Sequence, residues 1–221
     1  MSCFVCLHGA GGWGSWFDLL ARELAPLGHE VIGVDLPCDR DVGYDAYVDA
    51  VLAAIGPRRE GVVLVAHSLS GLVAPVVATR TPVELVVLLA AMVPRPGETG
   101  GEWWEAVGHE EALTAQQLPD DSPETLFVHD VPPDVLAASA PPRDQSDALF
   151  AEPWPLAAWP DVRTEFLLCR DDRFFPAEWL RAAVRSRLGV EPIEIPGGHC
   201  AHLSQPAALA AVLHGLVTAS G

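Results

Sequence analysis

The residues best suited to do chemistry lie in three separated segments: Leu64-Val65-Ala66-His67-Ser68-Leu69-Ser70-Gly71, Cys169-Arg170-Asp171-Asp172-Arg173-Phe174-Phe175-Pro176, and Pro196-Gly197-Gly198-His199. A serine hydroxyl is a weak nucleophile until a base takes its proton. An imidazole does so when a carboxylate fixes its tautomer and steadies the imidazolium that forms. Ser68, Asp172 and His199 are the candidates for these roles, and they occur in a chain order in which that constellation is found. Ser68 ends an apolar run and opens a helical pattern, with Ala66 two residues before it and Ser70 two after. A tight strand-to-helix corner needs small flanks because neighbouring backbone passes close by, and it pushes the hydroxyl out of the turn. Taken alone, the octapeptide also fits a serine that caps a helix. Asp171 is the alternative acid, since strand ends are uncertain by a few residues.

A fourth segment, His8-Gly9-Ala10-Gly11-Gly12-Trp13, follows the first apolar run. Its glycines let backbone approach a reacting carbonyl, so the amides of Ala10 and Leu69 are the expected oxyanion-hole donors; losing one such donor typically costs on the order of 3 kcal/mol of transition-state stabilisation. A phosphate-binding loop is the competing reading, and the chain has no P-loop lysine to support it. Gly9 and Trp13 are candidate substrate-binding residues. So are Trp103 and Trp104, which either line an apolar pocket or pack a cap onto the sheet. His8 is expected to be structural, His67 to pack or bond to backbone, His202 to face away one turn beyond His199, and Asp35 to fix a loop as a hydrogen-bond acceptor.

The elements that must position these groups alternate between strand and helix. Strands are expected over 3–7, 30–34, 62–66, 85–91, 164–169 and 191–195. Helices are expected over 16–27 and 44–55, from Ser68 onward, and over 177–187 and 206–218. About six strands with helical crossovers make an α/β fold, a doubly wound and mostly parallel sheet whose ligand crevice lies at the carboxyl edge of its strands. The candidate residues all follow strands. The exception to the rhythm is 94–161, rich in Pro, Trp and acidic residues, which reads as a short helical cap with helices around 102–107, 123–129 and 132–138. The expected organisation is one domain over 1–221, with a core of 1–93 and 164–221 and a cap insertion over 94–163.

Composition excludes several functions. The chain carries 30 acidic and 13 basic side chains for a formal charge of −17, every basic one an arginine, so nucleic acid is repelled. No apolar run approaches the length needed to span a bilayer, and the N-terminus does not read as a signal peptide. The 5 cysteines are odd in number and scattered, which fits reduced thiols and a cytoplasmic location. Cys3 and Cys6 form a lone C-x-x-C spacing without a second pair, so core packing rather than a metal site is expected.

Over nearly its whole length the chain resembles the branch of the α/β-hydrolase superfamily that holds plant methylesterases and hydroxynitrile lyases, with bacterial esterase-like relatives. The likeness rests on His8-Gly9-Ala10 with the aromatics from Trp13 to Phe17, on Val34-Asp35-Leu36-Pro37, on Ala66-His67-Ser68-Leu69-Ser70-Gly71, on the segment from Cys169 to Pro176, and on that from His199 to Pro206. The resemblance places the family's nucleophile on Ser68, its acid on Asp172, its histidine on His199 and its oxyanion amides on Ala10 and Leu69. It implies a threonine where Gly9 stands and a lysine where Cys200 stands if the chain were a lyase. Both are missing, and a chain without lysine has no such cation to hold departing cyanide. The resulting expectation is a serine hydrolase that cleaves a small, apolar or aromatic carboxylic ester through an acyl-enzyme, without metal or organic cofactor. Its partner is a small-molecule substrate, not nucleic acid or membrane, and a homodimer is compatible with it. The alternatives are a lyase or biosynthetic cyclase that uses the same groups for proton transfer, and a non-catalytic small-molecule receptor.

Overall fold

The run Val62-Val63-Leu64-Val65-Ala66 is apolar at every position, which suits a strand covered on both faces. In the computed structural model, which describes residues 1–219, it forms β3 (Val62–His67), buried throughout and flanked by β1 (Cys3–Leu7) and β4 (Leu85–Leu89). With β2 (Glu30–Val34), β5 (Thr164–Cys169) and β6 (Ile193–Ile195) these make one six-stranded sheet in the order β2-β1-β3-β4-β5-β6, every pair parallel. The α/β architecture read from the sequence is the one observed. The chain leaves β1 for β2 on one side and returns to β3 on the other, so the crossovers change direction between β1 and β3. A crevice opens at such a switch point, outside the carboxyl ends of the strands. The register brings those ends level: Leu7 lies opposite Ala66, His67 opposite Leu89, and Leu89 opposite Leu167.

The sheet is covered by α1 (Asp18–Leu24), α2 (Tyr44–Ile55), α3 (Ala74–Ala78), α9 (Ala177–Leu188), α10 (Ala201–Ser204) and α11 (Pro206–Thr218), with α4 (Gly100–Ala106), α5 (His109–Ala115), α6 (Pro123–Leu126), α7 (Pro133–Ala138) and α8 (Ala148–Ala151) between β4 and β5. Cys3 and Cys6 are buried in the core cluster. Among the described residues no helix is long and apolar enough to cross a membrane.

Proline accounts for several departures from the expected bounds. The helix expected over 16–27 is a 3-10 turn (Gly14–Phe17), α1, and a second 3-10 turn (Ala25–Leu27) containing Pro26. The helix expected from Ser68 is likewise divided into a 3-10 turn (Ser68–Leu72) and α3, where Pro75 has no N–H to give to the preceding turn. β6 starts at Ile193 because Pro192 cannot donate to a ladder. β4 ends two residues early because Ala90 takes a positive φ of 42°. In the cap, α5 and α8 were not expected. α5, His-Glu-Glu-Ala-Leu-Thr-Ala, has too few apolar residues to show a helical period.

Deep ties bind the start of the cap to the core. Arg187 Nη1 and Nη2 donate to Glu98 Oε2 and Oε1 at 2.5 and 2.8 Å, and Nη1 donates to the carbonyl of Val93 at 2.8 Å. The planar guanidinium matches the carboxylate in the bidentate arrangement that makes such pairs strong. Thr99 and Glu102 close a capping box at the head of α4.

Candidate active site

Ser68 sits at the corner between β3 and the 3-10 turn with φ at 53°, one of three non-glycine residues with positive φ among those described. L-residues adopt this region at a cost, and it persists only where the surroundings enforce it. Here they do. The Ser68 carbonyl accepts the N–H of Met92 at 2.9 Å, and Ser70 Oγ donates to the carbonyl of His8 at 2.5 Å. A Cβ on Gly71 would fall 2.0 Å from the Met92 carbonyl oxygen, so only glycine fits there. Ser70, which stands where the usual elbow has glycine, is fully buried and ties the corner to the loop after β1.

That loop passes directly over the serine. A Cβ on Gly9 would lie 3.0 Å from both Ser68 Cβ and His67 Nδ1. The N–H groups of Ala10 and Leu69 have no protein acceptor among the described residues, although their neighbours Gly11 and Gly12 donate to Gln145 Oε1 and to the carbonyl of Gly9. Both amides lie on segments that flank the switch point.

Asp172 and His199 meet at the end of β5. His199 Nδ1 donates to Asp172 Oδ2 at 2.8 Å, both side chains being almost wholly enclosed. Asp172 Oδ1 accepts the N–H groups of Phe174 and Phe175, each at 2.8 Å, which locks the carboxylate in place. Asp171, the alternative acid, instead accepts the N–H of Gly197 and is half exposed. The His199 ring is walled by Phe127, Phe174 and Phe175, with ring centroids at 5.5, 5.1 and 5.1 Å. Its Nδ1–H is committed to the acid, so Nε2 is the nitrogen left to act as a base.

His67 and His202 are buried supports. His67 Nε2 donates to the carbonyl of His199 at 2.9 Å, fixing that residue's backbone, and its burial pushes its pKa well down. His202 turns inward rather than away: its ring stacks on Phe17 at 4.7 Å and meets His67 edge-on, because the short helix α10 folds it under the site. Burial lowers its pKa to about 3. Asp35 Oδ1 accepts the N–H of Gly14 at 2.8 Å.

Gly9, Gly11 and Gly14 do stand at the G-x-G-x-x-G spacing, with Asp35 at the end of β2 where a ribose-binding acid would be. The structure uses them otherwise. Asp35 is occupied by Gly14, the loop enters a 3-10 turn instead of a helix, and Gly14 packs backbone to backbone against Gly33.

The tryptophans divide. Trp103 has the packing role of the two alternatives: its ring is enclosed by Trp104, Phe175, Trp179 and Arg187, and its Nε1 donates to the carbonyl of Val93 at 3.0 Å. Trp104 lines a cavity of about 240 Å³ with His109 and Glu105, which does not include Ser68 or His199. Trp13 gives its Nε1 to the carbonyl of Pro141 at 2.7 Å and lies under the Arg143 guanidinium. Trp103→Ala is expected to lower stability by about 3–5 kcal/mol, as removal of a buried aromatic does, in a urea unfolding curve. Turnover per folded molecule should stay within a few-fold; a rise in KM without loss of stability would restore Trp103 to the pocket.

The profile of the alpha/beta hydrolase family matches residues 4–212. The chain belongs to this family. No curated protein matches it in sequence. Solved structures that superpose on this hydrolase include a pyrethroid hydrolase from Sphingobium faniae, with a TM-score of 0.80 and 20% identity over 99% of this chain and 98% of that one. Polyneuridine aldehyde esterase aligns at 0.79 and 21% over 98% and 99%, and a methylesterase from Arabidopsis at 0.77 and 18% over 99% of both. At these identities the likeness concerns the fold, and it includes the methylesterase branch that the motifs resemble.

Several residues of the hydrolase site were not singled out from sequence. Phe174 and Phe175 stood in the quoted acid segment, where the pairing of two aromatics just after the acid was a usable signal. Phe127, Asp130, Arg143 and Gln145 come from the cap, whose irregular sequence shows no period to place them. Asp130 Oδ2 accepts the N–H of Gly198, next to His199, at 2.7 Å.

Proposed function

We propose that this α/β hydrolase cleaves small carboxylic esters with an apolar or aryl group through an acyl-enzyme on Ser68. His199 Nε2 takes the hydroxyl proton, Ser68 Oγ attacks the ester carbonyl, and the Ala10 and Leu69 amides hold the resulting oxyanion. The alcohol leaves with the proton from His199. Water, deprotonated by the same imidazole, then attacks the acyl-serine and releases the acid.

The observation that carries this reading is the enclosed Asp172–His199 pair, 2.8 Å apart, at the same sheet edge as a serine held at φ 53°. The names of the structural neighbours, a hydrolase, an esterase and a methylesterase, support hydrolysis. The walls of Phe127 and Phe174 beside His199 favour an apolar or aromatic group on the side from which the alcohol departs. Lyase chemistry is disfavoured at Gly9, where even a Cβ would press on His67 and Ser68 at 3.0 Å, and by the absence of lysine.

The test is intact mass after incubation with a fluorophosphonate, with Ser68→Ala in parallel, and turnover of short-chain p-nitrophenyl esters and aryl methyl esters. One adduct that is lost in the variant, together with turnover of at least part of the panel, is expected. An unlabelled protein that leaves the whole panel intact would sink the proposal.

A further inference from the structure

We propose that Arg143, a cap residue, is a positioning residue for the oxyanion hole: acting through His8, it sets the peptide plane that carries the Ala10 N–H. This rests on the reading of Ala10 as an oxyanion donor.

The loop from His8 to Trp13 lies between β1 and the first 3-10 turn and contains three glycines, so nothing in its own sequence restrains it. The direction of the Ala10 N–H is set by the peptide it shares with Gly9, because a planar trans peptide points its N–H opposite to its C=O. The Gly9 carbonyl is held by the His8 ring, at 2.7 Å from Nδ1. That bond requires His8 to carry its proton on Nδ1 and to present a bare Nε2. Two donors enforce that tautomer: the N–H of Leu36 and Nη2 of Arg143, each 3.1 Å from Nε2. A protonated His8 could accept neither. Burial first and the adjacent guanidinium second hold its pKa down, at about 4, against the opposing pull of its hydrogen bond to Gly9 and, more weakly, of Asp35.

Arg143 also grips the loop directly. Its backbone N–H donates to the Gly11 carbonyl at 2.7 Å, and Nε and Nη2 donate to that of Gly12 at 3.0 and 2.6 Å. Nη2 reaches the Leu36 carbonyl at 3.0 Å, and the guanidinium lies over the Trp13 ring at 4.1 Å. The side chain is only 12% exposed, with Asp39 at 3.8 Å as its carboxylate neighbour. One planar fork therefore joins the carbonyl side of the loop, the His8 ring and the chain after β2. A lysine ammonium is a single point charge and cannot reproduce that span. The carbonyls of Gly11 and Gly12 face the cap, and the Ala10 amide is left without a protein acceptor among the described residues. The cap thus helps to build the site beneath it.

The experiment compares wild type with Arg143→Ala and Arg143→Lys for kcat and KM on the best p-nitrophenyl ester, with and without millimolar guanidinium. Thermal unfolding and amide hydrogen exchange over residues 8–13 are recorded for the same samples. A misaimed donor should cost somewhat less than a deleted one, so kcat in Arg143→Ala should fall about 30-fold. KM should change by less than about 3-fold, loop exchange should quicken, and guanidinium should restore part of kcat; Arg143→Lys should recover little. A kcat within about 2-fold of wild type would overturn the proposal. So would a loss spread equally over kcat and KM that follows the fall in unfolding temperature and resists guanidinium. Should Arg143→Ala fail to fold, Arg143→Lys carries the same comparison. Should wild type neither label nor turn over, the ester reading fails instead, and exchange over 8–13 still decides the clamp: faster in the variants supports it, unchanged overturns it.

Discussion

Ser68→Ala and His199→Ala are each expected to lower kcat on a cleavable ester by about 10⁴–10⁶-fold, and the double variant no further. In the proposed mechanism the two groups act on one proton, so removing either removes the same step. Asp172→Asn should cost about 10⁴-fold, the scale set by a wrong imidazole tautomer. The reason is visible in the bonds. Asp172 Oδ2 accepts from His199 Nδ1, and Oδ1 accepts from Phe174 and Phe175. An amide there keeps its oxygen toward the two N–H groups and turns its NH₂ toward His199, so the imidazole must present a bare Nδ1 and move its proton to Nε2. The base then faces the serine already protonated. Steady-state kinetics with single-turnover labelling decides the matter. A Ser68→Ala variant that keeps more than about 1% of kcat would exclude the acyl-enzyme, and labelling unchanged in Asp172→Asn would detach the acid from the base. Because Asp172 and His199 are both buried, unfolding curves must accompany the rates.

Much of this arrangement was legible in the sequence because it follows from local rules. The unbroken apolar runs of β1, β3 and β4 declare a sheet covered on both faces, and the glycine loop, the serine corner and the Gly-Gly-His turn each follow a strand, so a parallel sheet must bring them to one edge. The cap was not legible to the same degree. Its helices are short, α6 and α7 opening on Ser122 and Pro132 instead of being marked by a period, and its contributions to the site are single side chains whose partners lie far away in sequence, 131 residues between Arg143 and Gly12 and 68 between Asp130 and Gly198. Trp103 shows the same limit from the other direction: composition says that a buried tryptophan is present, and only packing says that its N–H is committed to Val93. The glycine spacing of 9–14 is ambiguous for a related reason, since one pattern of small residues serves a pyrophosphate or an oxyanion equally, and only the structure shows that Asp35 is bonded to Gly14.

Acidification is expected to destabilise the protein well above the pH at which carboxylates titrate, because His8, His67 and His202 are buried and neutral. Burial holds His8 at about 4, His202 at about 3 and His67 well below the ordinary 6.5. The sign follows from linkage. Above pH 6.5 these groups are neutral in both states and contribute no pH dependence; below it the unfolded chain takes up protons that the folded one refuses, so stability falls with pH until each folded pKa is reached. With all three titrating the slope approaches about 4 kcal/mol per pH unit, and the loss between pH ~7.5 and pH ~5 is roughly 6 kcal/mol, comparable with the whole stability of an ordinary domain. His29, also lowered by burial and by His214, acts in the same direction. His202 isolates the effect. Neither of its ring nitrogens has a hydrogen-bond partner among the described residues, and its ring stacks on Phe17. His202→Phe keeps the stack and removes two buried polar atoms that are unsatisfied, so it should be no less stable at neutral pH, and its acid slope should fall by about a third. Urea midpoints at half-unit pH steps measure this. An acid dependence identical to that of wild type would mean that His202 already takes up its proton in the folded state, and that the stack beneath His199 is charged.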